Sequence, residues 1–387
     1  MTPSEASSPS RCDAVVIGGG PIGIETAIAL NAAKIECRVL EAGSIGHTIS
    51  WWAPQTRWFS SNDRISIAGV PLQTIDQNKA TREEYLNYLR SVVQQFRVPI
   101  TSFTRVISVD RGDDNDWLVR TVASHHADSE SSHPVDQPAT VQTILASNVV
   151  LAIGGTDRPN RLGVEGEELP MVDGYLREPH RYHGRRVLIV GGRNSAVEAA
   201  IRLHRVGAKV TLCYHGPSLP TESIKYWLRP EIEGLVRSGA IEAAFGSRVV
   251  KIEPGCVVLN QIGEDGSVQR VSVAVDDVLT LIGYQQDKSL FKQMGIPLSG
   301  PALAPVFNPV TMETDLPGIY VAGTAIGGTQ SSKYQIFLEN CHDHSTKIAK
   351  DIVAKRSREG QTAAGEGTDT SAADRQLARQ IELSPES

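Results

Sequence analysis

Six residues near the start of the chain, Gly18-Gly19-Gly20-Pro21-Ile22-Gly23, are the first whose types and spacing describe a chemistry. They fit G-x-G-x-x-G, in which each glycine has its own task. Gly18 permits a tight turn, and Gly20 lets the backbone come up against a pyrophosphate. Gly23 lets a helix pack close to the strand before it. The phosphates then meet the free N–H groups and the positive end of that helix. Glu41 stands 23 residues after Gly18, at the end of a second expected strand. A carboxylate there accepts both hydroxyls of a ribose, so the ligand described is a dinucleotide.

The pattern returns 173 residues later in altered form. Gly191-Gly192-Arg193-Asn194-Ser195-Ala196 sets Arg193 where Gly20 stands and Ala196 where Gly23 stands. The counterpart of Glu41 is Tyr214, and His215 follows it. With no acid there, a 2′-phosphate meets no repulsion and can pair with Arg193 and His215, which favours NADPH over NADH. A turn with a side chain in place of its second glycine also fits a degenerate site. A dinucleotide-binding scaffold without catalysis is therefore an open alternative.

Elements to hold these turns are visible on either side of them. Strands over Asp13 to Ile17 and Cys37 to Glu41 flank a helix over Pro21 to Ala33. Strands over Val187 to Val190 and Lys209 to Tyr214 flank a helix over Ser195 to Val206. The repeat distance is far too long for a solenoid, and two nucleotide-binding domains, one inserted in the other, account for it. The expected class is α/β, with residues 13–160 and 285–354 forming a discontinuous first domain and 161–284 the inserted one. Val106 to Val109, Trp117 to Val122 and Val141 to Ile153 alternate like β-structure, around a polar surface loop from His125 to Pro138. Arg248 to Ile252, Cys256 to Leu259 and Val268 to Val275 read as hairpin strands, and Asp277 to Gly283 closes that domain. A strand over Ile319 to Ala322 and a helix from about Ser332 to Val353 follow. Residues 1–12 and the polar tail 355–387 are expected to be flexible.

Composition narrows the class. The 387 residues suggest two or three domains, and 40% hydrophobic against 21% charged residues is enough to bury a core. Thirty-eight basic against 44 acidic residues leave a net charge of -6, which argues against a strongly basic nucleic-acid binder. No apolar run reaches the roughly 18 residues of a membrane span, and the amino terminus lacks a secretory signal. Five cysteines do not make a disulfide framework. The expectation is a cytoplasmic protein.

Leu316-Pro317-Gly318-Ile319-Tyr320-Val321-Ala322-Gly323-Thr324 resembles the segment of two-dinucleotide flavoproteins that passes the flavin's ribityl chain and pyrophosphate. Those proteins commonly carry Asp where Thr324 stands. Leu151-Ala152-Ile153-Gly154-Gly155 resembles their crossover between domains. The likeness adds Gly154, Gly323 and Thr324 to an FAD site, with adenine-side contacts from the backbone around Val106. Trp51 and Trp52 lie where the chain passes near the ring, to stack on it or to pack in the core; Gln55 and Thr56 are polar candidates to hydrogen-bond it, and the helix from Ser332 aims its N–H end at it.

Trp58-Phe59-Ser60-Ser61, the Gly191 to Ala196 turn and Ser223-Ile224-Lys225-Tyr226-Trp227-Leu228-Arg229-Pro230 resemble the bacillithiol-disulfide reductase family, a thioredoxin-reductase-like group. The resemblance spans roughly residues 13 to 353. It implies an FAD domain interrupted by an NADPH domain, often in a homodimer. It also implies hydride transfer from NADPH to FAD and electron delivery to a low-molecular-weight disulfide such as bacillithiol disulfide. The family carries a cysteine where Ile22 stands. Isoleucine cannot form a mixed disulfide, so a quinone or other cysteine-independent acceptor stands beside the disulfide.

No Cys-x-x-Cys occurs, which argues against thioredoxin reductase itself. Cys12, Cys37, Cys213 and Cys256 read as packed or terminal-loop residues. Cys341, placed about two turns into the carboxy-terminal helix, is the remaining redox candidate. Cys341, His342 and His344 are too close in sequence to converge on a metal from one helix. A flavin monooxygenase also carries Asn-Ser after its second glycines, but here Val172 replaces its linking aromatic and His180 falls two residues late. A ferredoxin reductase commonly covers its flavin with an aromatic in a carboxy-terminal extension, and none follows Lys355.

Overall fold

A computed structural model describes residues 9–112, 116–124, 141–263, 266–329 and 336–365. Apolar runs at the start of the chain form β1 (Ser10–Ile17), α1 (Pro21–Ala32) and β2 (Cys37–Leu40). Pro21 opens α1 at a position where its missing N–H costs nothing. Both faces of α1 are apolar because both are covered: Ile22, Ile24, Ala27 and Leu30 are buried between the sheet and the helix Asp343–Gly365. A helix that the sequence reading did not anticipate, Arg82–Phe96, starts in a capping box between Thr81 and Glu84.

β3 (Ile100–Thr101), β4 (Thr104–Arg111), β5 (Trp117–Ala123) and β6 (Gln142–Leu151) complete most of the first sheet. Its order is β3-β2-β1-β6-β5-β4, with the strand Ile319–Val321 also paired to β6. β1, β2, β3 and β6 run parallel, while β4 and β5 form an antiparallel flap. The first half of β6 pairs with β5, and its last residues, Val149 to Leu151, pair with Ile319 to Val321.

Two short antiparallel strands, β7 (Arg158–Pro159) and β16 (Tyr284–Gln285), are the paired crossings between this sheet and the next. The second sheet contains β8 (Val172–Asp173), β9 (Arg186–Val190), β10 (Lys209–Tyr214), β11 (Glu242–Phe245) and β15 (Asp277–Thr280). Its order is β11-β10-β9-β15-β8, all parallel. The helix Asn194–Arg205 covers one face, and the antiparallel trio β12 (Ser247–Glu253), β13 (Cys256–Ile262) and β14 (Val268–Ala274) covers the other. In both sheets the strand before the glycine turn lies where the winding reverses, the place where open α/β sheets bind ligands.

Three expectations need correction. β1 starts at Ser10, so Ser10 to Cys12 belong to the first sheet and not to a flexible leader. The carboxy-terminal helix begins at Asp343, not near Ser332, and continues to Gly365, well into the segment expected to be a flexible tail. The late start has a local cause. Asn340 folds back to accept the Phe337 N–H at 2.8 Å, which makes a separate short turn over Leu338–Asn340. Residues 330–335, the segment 125–140 expected to be a surface loop, and the segments 1–8 and 366–387 lie outside the described residues.

Candidate functional site

The first glycine turn is shaped by what crowds it. Gly18 has φ +111, and a Cβ there meets the Ala152 carbonyl oxygen at 2.4 Å. At Gly23 a Cβ meets the Gly18 oxygen at 2.0 Å, so only glycine lets α1 sit this close to β1. Gly20 is the opposite case: a Cβ there has nothing within 4 Å. Open space over the second glycine, at the N-terminus of a helix, is the form of a pyrophosphate cradle.

Glu41 is buried beside this turn. Its Oε2 accepts the Gly19 N–H at 2.6 Å and its Oε1 accepts the Gly43 N–H at 2.7 Å. Both oxygens are thereby fixed, and each keeps lone-pair capacity for a ribose hydroxyl. The Thr104 N–H donates to the Glu41 carbonyl at 2.8 Å, which brings the start of β4 to the same edge. Val106, two residues on, is buried and paired with Thr121.

The crossover and the late segment meet as the sequence suggests. Thr324 Oγ1 accepts the Gly155 N–H at 2.9 Å, next to Gly154 in left-handed backbone. Gln286 is buried behind them and donates from Nε2 to the carbonyls of Gly154 and Ala325, at 2.9 and 2.8 Å. His344 accepts the Gly323 N–H on Nδ1 at 3.1 Å. Burial of His344 lowers its pKa and keeps the ring neutral, which this acceptor role requires. Sequence patterns gave no sign of Gln286 and offered His344 only as a metal ligand that its neighbours ruled out, because both side chains bind backbone groups outside any local motif.

Ile22 packs under Gly323, where a Cβ would stand 3.1 Å from the Ile22 Cβ. Cys341 is fully buried, its thiol donates to the Phe337 carbonyl at 3.0 Å, and burial pushes its pKa up to about 12. It lies before the helix and not within it. The thiols of Cys12, Cys37 and Cys213 are likewise pushed up by burial, to about 11, 12 and 11. His342 is held between Glu25 and the Arg64 carbonyl, at 2.9 and 3.0 Å. No group of three or more potential ligands among the described residues could hold a metal.

In the second turn, Gly191 has φ +143, and a Cβ there meets the Leu281 oxygen at 2.5 Å. The Tyr214 ring comes within 2.5 Å of where a Cβ of Gly192 would stand, and it meets the His215 ring tilted at 51° with ring centres 4.4 Å apart. Arg193, Ser195 and His215 are exposed, and Ala196 is buried in the helix–sheet contact. Asn194 is spent on structure: its Oδ1 accepts the Lys225 N–H at 2.8 Å.

Gln55 and Thr56 come to the boundary between the two units. The Gln55 N–H donates to Glu83, while Thr56 Oγ1 accepts from Arg202 of the helix Asn194–Arg205 at 2.8 Å. Arg202 also donates to the Pro54 carbonyl. Trp51 touches Tyr175, ring centres 5.6 Å apart, and Tyr175 stacks on Tyr284 at 5.6 Å.

The model of the pyridine nucleotide-disulphide oxidoreductase family matches residues 15–323. This chain belongs to that family. The bacilliredoxin reductase of Bacillus subtilis is 33% identical over 343 residues, covering 89% of this chain and 98% of that protein. The bacillithiol disulfide reductase structure from Bacillus cereus is 32% identical with a TM-score of 0.79, over 89% of this chain and all of that one. The Staphylococcus aureus enzyme is 29% identical with a TM-score of 0.78, over 90% of this chain and 99% of that one. The fold is the two-dinucleotide flavoprotein fold, and the cofactors of the family are FAD and NADPH. The residues fit both: an open cradle and a carboxylate in the first turn, and an acid-free strand end with exposed Arg193 and His215 in the second. No helix among the described residues is long and apolar enough to cross a membrane.

Proposed function

We propose that the protein is an NADPH-dependent FAD oxidoreductase that delivers electrons to a low-molecular-weight disulfide such as bacillithiol disulfide. The observation that carries the reading is the contrast within the first turn, crowded at Gly18 and Gly23 and open at Gly20. FAD, when bound, supplies the hydride acceptor for NADPH and the two-electron donor for the disulfide. Gly18, Gly19, Gly20, Pro21, Ile22, Gly23 and Glu41 hold its pyrophosphate and adenosine half, with Val106 at the adenine edge. Gly154, Gly323 and Thr324 hold the ribityl side, and Gln55 approaches from the domain boundary. Gly191, Gly192, Arg193, Asn194, Ser195, Ala196, Tyr214 and His215 form the NADPH turn. The protein's contribution to hydride transfer is orientation, which needs no acid or base.

Residues 10–160 and 285–365 act as the FAD domain and 161–284 as the NADPH domain, in a cytoplasmic homodimer. The similarity to the two bacillithiol disulfide reductases supports the acceptor. A second reading, reduction of a quinone, is favoured by Ile22, which puts no thiol under Gly323. Anaerobic absorbance of the FAD-loaded protein separates them. NADPH should bleach the flavin band and bacillithiol disulfide should restore it. Bleaching restored only by a quinone moves the assignment to the second reading. No bleaching in a flavin-loaded sample overturns the reductase and leaves a binding scaffold.

A further inference from the structure

Two of the sequence stretches that carry the family resemblance, far apart in the chain, meet in space. The Phe59 and Trp227 rings lie 6.0 Å apart at 51°, and both residues are 40% exposed. Tyr226, 77% exposed, stands edge-on to Trp227 at 4.9 Å. Lys79 Nζ sits 4.8 Å from the Trp227 ring centre. Lys225 Nζ sits 5.3 Å from that of Phe59 and 6.0 Å from that of Trp227. Neither lysine has a carboxylate within ion-pair distance among the described residues.

Two ammonium groups gathered on one aromatic pair repel each other, and the ring faces only partly offset this. A bridging anion relieves the repulsion. On a chain of net charge -6, a cationic patch of this kind selects its ligand by charge. Lys79 Nζ also donates to the Phe59 carbonyl, which fixes one of the two cations in place.

The patch is anchored to both cofactor units. Lys225 donates its N–H to Asn194 of the nucleotide turn at 2.8 Å. Trp58, next to Phe59, packs with Trp52 and Tyr85 against the core that contains Ile22. Phe59 and Lys79 come from the first unit, whereas Arg193 and His215, the expected 2′-phosphate contacts, both lie on the second. A nucleotide seated on the second turn leaves this mixed patch to another anion.

We propose that Phe59, Lys79, Lys225 and Trp227 form the recognition subsite for the electron acceptor, a small polycarboxylate disulfide whose body lies on the rings while its carboxylates meet the lysines. The site rests on the disulfide reading above and gives it a place in the structure. Bacillithiol disulfide, with carboxylates on its malate groups, is the probe. Tryptophan fluorescence of the FAD-loaded full chain is titrated with it, in wild type and in a Lys79→Ala, Lys225→Ala double variant; Lys79 is exposed, Lys225 is half-buried, and neither side chain belongs to a core cluster.

Binding should weaken about tenfold in the double variant, the combined worth of two solvent-exposed ion contacts. It should also weaken with salt in wild type, while uncharged hydroxyethyl disulfide is indifferent to both changes. No binding by wild type overturns the subsite, as does equal affinity in the variant. A raised KM for NADPH with unchanged disulfide affinity also overturns it, by assigning the lysines to the nucleotide. Salt-sensitive, lysine-dependent binding without turnover keeps the lysines as an anion site but overturns its assignment to the electron acceptor, and refutes the disulfide as substrate.

Discussion

Alanine at Gly20 and alanine at Gly23 should fail in different ways, although the two glycines are three residues apart in one turn. Gly20 has φ -78 and ψ 179, ordinary extended backbone, and its Cβ direction is empty to 4 Å. Gly20→Ala therefore costs the FAD-free protein nothing, and a stiffer unfolded chain adds about 0.4–1 kcal/mol of stability. The added methyl does stand where the pyrophosphate must come. Overpacking of that kind costs about 1–3 kcal/mol, which is about 5- to 150-fold in the dissociation constant for FAD. At Gly23 the Cβ would lie 2.0 Å from the Gly18 oxygen and 3.1 Å from the Gly18 carbonyl carbon. Backbone has to move there, so Gly23→Ala lowers the melting temperature with or without FAD. Thermal unfolding of FAD-free protein and fluorescence titration with FAD measure the two effects separately. Gly20→Ala with unchanged FAD affinity, or with a destabilised FAD-free form, would refute the cradle.

Replacing Arg193 and His215 together by Ala should raise the KM for NADPH far more than that for NADH; equal effects on both would remove their role at the 2′-phosphate. Cys341→Ser should leave flavin reduction and acceptor turnover unchanged while lowering thermal stability, since its thiol is buried and pushed up to about 12. Loss of acceptor turnover alone would make it a redox residue after all. His344 should make folding stability sensitive to acid. Its folded-state pKa lies below the ordinary value of 6.5, so its contribution is complete above about pH 6.5 and is lost as pH falls below that. Thermal unfolding of the FAD-free protein at stepped pH should show this decline in wild type and not in His344→Asn, whose amide oxygen accepts the Gly323 N–H without titrating. An unchanged decline in the variant would place the sensitive group elsewhere.

Both strand–turn–helix units were legible because glycine spacing and apolar runs are local. β10, expected over Lys209 to Tyr214, has those bounds, and the helix after the second glycines starts within a residue of its expected position. The failures are equally physical. The helix expected from about Ser332 starts only at Asp343, because Asn340 captures the Phe337 N–H in a separate short turn. Cys341 looked like a helix residue near the flavin and is a core residue before the helix. The backbone clamps, Gln286 on Gly154 and Ala325 and His344 on Gly323, join partners up to 132 residues apart, and no local pattern encodes such a pair. Arg202 illustrates the same limit, since as a helix residue it reads as a solvated charge and in three dimensions it holds the loop at Pro54 and Thr56.

The way β6 is shared has a consequence for how the molecule is made. The second sheet is drawn from one uninterrupted stretch, from β8 at Val172 to β15 at Thr280, and its partners are all present once that stretch has left the ribosome. The first sheet is not so placed. The end of β6 remains an open edge until Ile319 to Val321 arrives, and α1 keeps an apolar side bare until the helix Asp343–Gly365 follows. The half begun first on the ribosome is thus the half completed last, and its exposed edge and bare helix are the surfaces a nascent chain must protect in the interval.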